Sequence, residues 1–385
     1  MSINETGFPF DDNFSNTSNV KNVLYDIVTQ DTPILNITQH SGPSSHHAIT
    51  SFIEKYVIPV ICILGLIGNT VSSVVFLRKP LRNSSCSIFL AARGFSDNGF
   101  LSTLLIIWIS RTFQLHLGKI RNSCQIIIFL TYVCGCASVW LVVFVTIENY
   151  IRICRPFIVN RVCTTNIAKL IVGLLSFVTI CIYNFPFWTM NPDNCIPYVR
   201  YHNTVQALVY TDTLLTLVVP LICMTLVMTA ITCSLVKSYN RRSRLRAPTA
   251  KRIKNPMAKV TKMLFAVSMT FFCLNLPSHI NRLRIMISSL LNNTGQHGHY
   301  SSREEAIQQI TLLVYYLSLA TNLIVYISFG SKFRNMLREM FNIPKSRMQT
   351  AERSKSEKEQ ELTPIINQTN THETQSERTD IVPLQ

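Results

Sequence analysis

The chain has 385 residues, of which 48% are apolar and only 15% charged, and it carries a formal net charge of +16. Long uncharged apolar runs exclude an ordinary soluble two-domain protein. The Lys and Arg residues gather in short segments between those runs, which excludes a nucleic-acid-binding surface and reads as membrane topology. Twelve scattered cysteines, most of them inside apolar runs, exclude a disulfide-rich scaffold.

Residues 1–51 form a polar tail with no charged segment before an apolar core, so no cleavable signal peptide is expected. Four glycosylation sequons, at Asn4, Asn13, Asn16 and Asn36, point to a lumenal and hence extracellular tail. A first span is expected from about Tyr56 to Leu77, containing Asn69, and the basic loop Arg78 to Arg82 follows. The second span, about Cys86 to Ile109, carries Arg93 and Asp97, which can neutralise one another, or Arg93 can snorkel to the surface. A carboxylate at mid-span is expensive in lipid and marks Asp97 as a functional position.

The third run extends from Cys124 to Asn149, about 38 Å at ~1.5 Å per residue, enough to cross a bilayer at a tilt. It ends in Glu148-Asn149-Tyr150 and the helix-stopping Pro156. Further spans are expected over about Leu170–Trp188, Val205–Val236 (with Asp212 and Pro220), Met263–Leu290 (with Pro277) and Ala306–Phe329. Between Lys237 and Lys262 stand ten Lys or Arg residues and no acid. Another sequon, Asn292, falls on the opposite side. Residues 331–341 place apolar side chains on one helical face and basic ones opposite, as in a helix lying on a membrane surface. The polar stretch 342–385 reads as a disordered cytoplasmic tail. Loop charge and sequons agree on seven spans (52–330) with the amino terminus outside.

A cysteine heading a membrane helix that closes two dozen residues later in acid-x-Tyr resembles the third helix of a rhodopsin-like, class A G-protein-coupled receptor. The texture of residues 52–341 is similar to neuropeptide receptors of the FMRFamide and thyrotropin-releasing-hormone groups. The resemblance implies an all-α membrane protein, a seven-transmembrane helix bundle with a short amphipathic eighth helix, at the plasma membrane. It implies a disulfide from Cys124 to Cys195, and a polar core of Asn69, Asp97 and Asn322 holding a structural sodium ion at Asp97. No other cofactor is expected. The activation switch would comprise Glu148, Asn149, Tyr150, Phe271, Asn275, Pro277 and Tyr326.

Three residues in these switch regions depart from the family. Asn149 stands in place of an arginine that pairs with the acid, and Arg152 is the nearest substitute. Asn275 replaces the large aromatic of the sixth helix. Leu323 replaces the proline of Asn-Pro-x-x-Tyr, so the last span should keep a hydrogen bond and kink less.

Thr131 stands where aminergic receptors need an aspartate, and the last span lacks the lysine of opsins. Polar groups near the outer helix ends, Arg111, Gln125, Thr131, Asp212, His279, Arg282 and Gln309, are the ligand-binding candidates. Arg111 and Arg282 suit a carboxylate or the carbonyl of an amidated carboxy terminus, or else reach lipid headgroups; Asp212 suits a basic side chain. The partners implied are an extracellular peptide, a heterotrimeric G protein, arrestin and the bilayer, with no nucleic acid. No phosphate loop, metal cluster or nucleophile arrangement points to an enzyme. Two alternatives stand beside the coupled receptor: an atypical receptor with weak or absent G-protein coupling, and a transporter or channel. Internal repeats or paired broken helices would mark a transporter, and none is visible.

Overall fold

The computed structural model describes residues 51–115, 120–193, 196–244, 256–291 and 302–341. Both tails, the sequons at Asn4, Asn13, Asn16, Asn36 and Asn292, Cys195, and the middle of the basic loop (245–255) lie outside the described residues. Helices make up nearly all of the described chain, and the isolated bridge Met190–Pro197 is its only β pairing.

Helix α1 (Ile58–Leu77) continues a single π-turn, Ile53–Val57, and is followed by α2 (Ser85–Thr112) and α3 (Ser123–Cys154). The N-terminus of α4 (Thr165–Tyr183) is capped by Thr164, whose hydroxyl accepts from the Ile167 amide at 3.4 Å. Helices α5 (His202–Thr213) and α6 (Val219–Arg244) are joined through a π-turn, Leu214–Val218. Pro220 follows that turn, and a proline cannot donate to the carbonyl four residues back, so the local ladder widens. Helix α7 (Pro256–Leu291) runs through Pro277. Then come α8 (Ser302–Ala320), α9 (Asn322–Phe329) and α10 (Ser331–Met340). The chain divides into two units, the first ending at Phe333 and the second beginning at Arg334.

In the first unit α3 is the central helix, touching α2, α4, α6 and α7, while α8 and α9 return to pack against α1. Close approach there depends on small residues. A Cβ at Gly65 would stand 3.1 Å from the Cβ of Ala320, and one at Gly68 would stand 3.3 Å from the Cβ of Leu323. Apolar residues also face outward: Leu170, Leu174 and Phe177 make an exposed stripe along α4. In water such a stripe is a liability; in lipid it is the required surface.

Among the described residues, five helical segments are long and apolar enough to cross a membrane: Ile53–Leu77, Ser123–Cys154, Thr165–Thr189, Asn203–Ser238 and Val260–Arg284. Ala306–Ala320 with Asn322–Phe329 makes a sixth if the bent pair is one span. Helix α2 does not pass on apolarity, because Arg93, Asp97 and several Ser, Gly and Asn residues interrupt it. Its polar groups point inward, and both Arg93 and Asp97 are buried.

Candidate functional site

At mid-bundle, α1, α2, α3 and α9 bring their polar side chains to one point. Asp97 is fully buried, and its Oδ1 accepts a hydrogen bond from the Ser138 hydroxyl. Its Oδ2 accepts from Asn322 Nδ2 at 2.6 Å and lies 3.5 Å from Arg93 Nε. Asn322 also donates to Asn69 Oδ1 at 3.1 Å, so Asn69, Asp97 and Asn322 form one connected network. Arg93 does not snorkel: at 1% exposure it turns inward, and its guanidinium carbon lies 5.2 Å from the centre of the Phe271 ring. An arginine in that geometry gains ion pairing and cation–π attraction together. It also interacts with the Tyr326 phenol.

A sodium ion does not fit this arrangement. Both carboxylate oxygens of Asp97 already accept hydrogen bonds, and the charge they carry is matched by a guanidinium on the same helix.

The expectation of a straighter last span is overturned. Helices α8 and α9 meet at a 50° bend, although Leu323 stands in place of proline. The physical reason is the Leu319 carbonyl, the acceptor that the Leu323 amide would address in an unbroken helix. It accepts from Asn69 Nδ2 at 3.0 Å and from Asn322 Nδ2 at 3.1 Å. Side chains inserted into the ladder bend a helix without proline. Beyond the bend, Tyr326 is buried edge-on against Phe76 at 4.9 Å and packs on Phe333 at 5.5 Å.

At the C-terminal end of α3, Glu148 Oε1 accepts from the Ser85 hydroxyl at 2.6 Å, from Arg152 Nε at 3.0 Å and from a second nitrogen of Arg152. Arg152 therefore holds the acid, one turn beyond the departure at Asn149. Asn149 is fully buried and, among the described residues, neither its Oδ1 nor its Nδ2 has a hydrogen-bond partner; nor has Glu148 Oε2. Tyr150 is half-buried. Asn275, also fully buried, donates to the Phe271 carbonyl at 2.6 Å and accepts from the Ser318 hydroxyl at 3.2 Å. Where the family has an aromatic, this chain has a polar tie from α7 to α8, two residues before Pro277.

A cavity of about 60 Å³ opens toward the other end of the bundle. The structure brings four candidate residues to it: Thr131, Asp212, His279 and Arg282. Asp212 accepts from the Tyr183 hydroxyl, and Thr131 donates to the Ile127 carbonyl at 2.8 Å. Three candidates are placed elsewhere. Gln125 donates to the Met190 carbonyl at 2.7 Å and braces the segment after α4. Gln309 donates to Glu54 at 3.1 Å, joining α8 to the first turn of the chain's first span. Arg111 is exposed in the last turn of α2. Sequence reasoning missed Tyr132, Tyr315 and Tyr316, which line the cavity with Phe100. Their periodic placement reads as ordinary core packing, and only the adjacent Tyr315-Tyr316 pair is a signal in the sequence. Cys124 is disulfide-bonded; Cys195, the partner that the resemblance implies, lies outside the described residues.

These features define a multi-pass helical membrane protein whose bundle carries a buried ionic network on its axis and a cavity at one end. Residues 68–326 match the model of the 7 transmembrane receptor (rhodopsin family), and the chain belongs to that family. It is 24% identical over 308 residues to the FMRFamide receptor of Drosophila melanogaster, covering 74% of this chain and 53% of the relative. It is 27% identical over 132 residues to the FMRFamide peptide receptor frpr-18 of Caenorhabditis elegans, covering 33% and 30%. With the human C-C chemokine receptor type 1 it shares 24% identity over 295 residues, covering 74% of this chain and 78% of the relative. The match thus spans about half the length of the Drosophila receptor and less of the nematode one.

Proposed function

We propose that this chain is a plasma-membrane receptor, amino terminus outside, which binds an extracellular peptide and signals through a heterotrimeric G protein. The observation that carries the reading is the cavity, where a carboxylate (Asp212), an imidazole (His279) and a guanidinium (Arg282) share walls with Tyr132, Tyr315 and Tyr316. Opposite charges with aromatic faces suit a peptide that has a basic side chain and a polar terminus. Asp212 would pair with the basic side chain, and Arg282 would bond the terminal carbonyl. Two of the relatives are named for FMRFamide, which agrees with a peptide of this kind. Binding would shift population toward a state open at the C-terminal end of α3. Arrestin is the further partner proposed, on family grounds alone.

One observation favours a second reading, ligand binding with weak or absent coupling. Asn149 offers no charge where the family has arginine, and Arg152 is held by Glu148.

A peptide-library screen on cells expressing the chain, reading calcium, cyclic AMP and arrestin recruitment in parallel, tests both. A saturable G-protein response to one peptide family, weakened at least tenfold by Asp212→Asn and by Arg282→Gln with surface expression unchanged, is expected. Arrestin recruitment or bound peptide without a G-protein signal supports the second reading. Full potency in both variants overturns the assignment of the cavity.

A further inference from the structure

The Asp97 network departs from an ion site at a residue that is identified by its contacts. A buried carboxylate in lipid must be paired. A mobile cation would supply that pairing only in a field of net negative charge. Here each oxygen of Asp97 already accepts from a side chain, Ser138 on α3 or Asn322 on α9. Arg93, one helical turn away on α2, contributes a permanent positive charge at 3.5 Å. That charge cannot leave. Its side chain is 2% exposed, its guanidinium carbon lies over the Phe271 ring at 5.2 Å, and it interacts with the phenol of Tyr326. Any second cation at Asp97 would meet a like charge within a few ångströms and a carboxylate already neutralised.

We infer that Arg93 is the resident counter-ion of Asp97 and that this site excludes sodium. The bundle carries its cation covalently, tethered to α2 and braced on α7 through Phe271. Whatever conformational work a diffusible ion would do at this point is done by a side chain that no change of salt removes. Ions enter the site only when the guanidinium is taken away. This inference is independent of which ligand fills the cavity.

The test is thermal unfolding of the full chain, purified in lipid nanodiscs, titrated with sodium chloride against choline chloride at equal ionic strength. Wild type is expected to show the same Tm in both salts. Arg93→Met, which keeps an unbranched apolar stem beside Phe271, is expected to acquire a Tm that rises with sodium and not with choline. Adding Asp97→Asn to that variant should abolish the rise. A sodium-specific rise in wild type that Asp97→Asn removes overturns the proposal, and so does a folded Arg93→Met that is indifferent to sodium. If Arg93→Met does not fold, the decision passes to Asp97→Asn and the Arg93→Met/Asp97→Asn pair. A resident counter-ion requires the double variant to unfold at a higher temperature than Asp97→Asn alone. The reverse order means that the two residues do not form a pair.

Discussion

Replacing Leu323 with proline would restore the family's residue at the bend between α8 and α9, and the structure sets the cost. Inside a regular helix, proline removes one hydrogen bond and presses its ring against the carbonyl four residues back, at about 3 kcal/mol. At this position that carbonyl belongs to Leu319, which accepts from Asn69 at 3.0 Å and Asn322 at 3.1 Å while the axis turns by 50°. The donor that proline removes is one whose usual acceptor is served by two side chains. What remains is a loss of packing, because the Leu323 side chain fills the space above Gly68. One methylene's worth of contact is about 0.8 kcal/mol. Leu323→Pro is therefore expected to cost about 1 kcal/mol. Val325→Pro is the control: the Val325 amide donates to the Thr321 carbonyl at 3.2 Å, and losing that bond in the straight part of α9 should cost the full ~3 kcal/mol. Thermal unfolding of the receptor in nanodiscs reads both, and the Tm drop for Leu323→Pro should be about a third of that for Val325→Pro. Equal drops would refute the reasoning, since they would mean that the Leu323 amide takes part in a regular ladder and the side-chain amides do not maintain the bend.

Three further outcomes are expected. Asn149→Leu, nearly isosteric, removes two buried polar atoms that have no hydrogen-bond partner among the described residues and should raise stability by about 1 kcal/mol in the same unfolding assay. Arg152→Ala leaves the buried Glu148 with Ser85 as its hydrogen-bond donor and should destabilise by about 3–5 kcal/mol, with the Glu148→Gln/Arg152→Ala pair recovering part of the loss. Cys124→Ser removes the disulfide at the head of α3 and should abolish surface binding of a labelled peptide; binding at wild-type affinity would count against a structural role for that bridge.

The helices and the polar network were legible because lipid makes polar residues conspicuous. Asn69, Asp97 and Asn322 stand out in apolar runs, and a carboxylate there must find donors. What pattern reading does not give is which neighbour supplies them. Arg93 meets Phe271 across 178 positions of sequence, and nothing in either local stretch foretells the contact. The bend at Thr321 is hidden from the sequence for a related reason. Proline is visible in a sequence, whereas two amides converging on the Leu319 carbonyl, one of them from α1, are not. Gln125 and Gln309 illustrate the limit at the cavity. A polar residue near a helix end is equally suited to a ligand, a loop carbonyl or a neighbouring acid, and here the structure gives them Met190 and Glu54.

Oε1 of the acid at the end of α3 accepts from Ser85 and from an arginine on its own helix, and among the described residues no ion pair joins it to α7. Beside the apolar packing of α3 on α7, a pair of hydroxyls, Thr146 and Ser268, ties the two helices near that end at 2.7 Å. A neutral bond of that kind contributes about 1 kcal/mol. For a receptor that works by parting these helices, breaking the contact shifts the balance of the two states by roughly a factor of five. Under the proposed function, a Thr146→Val exchange, which removes this bond, would act as a volume control on spontaneous activity.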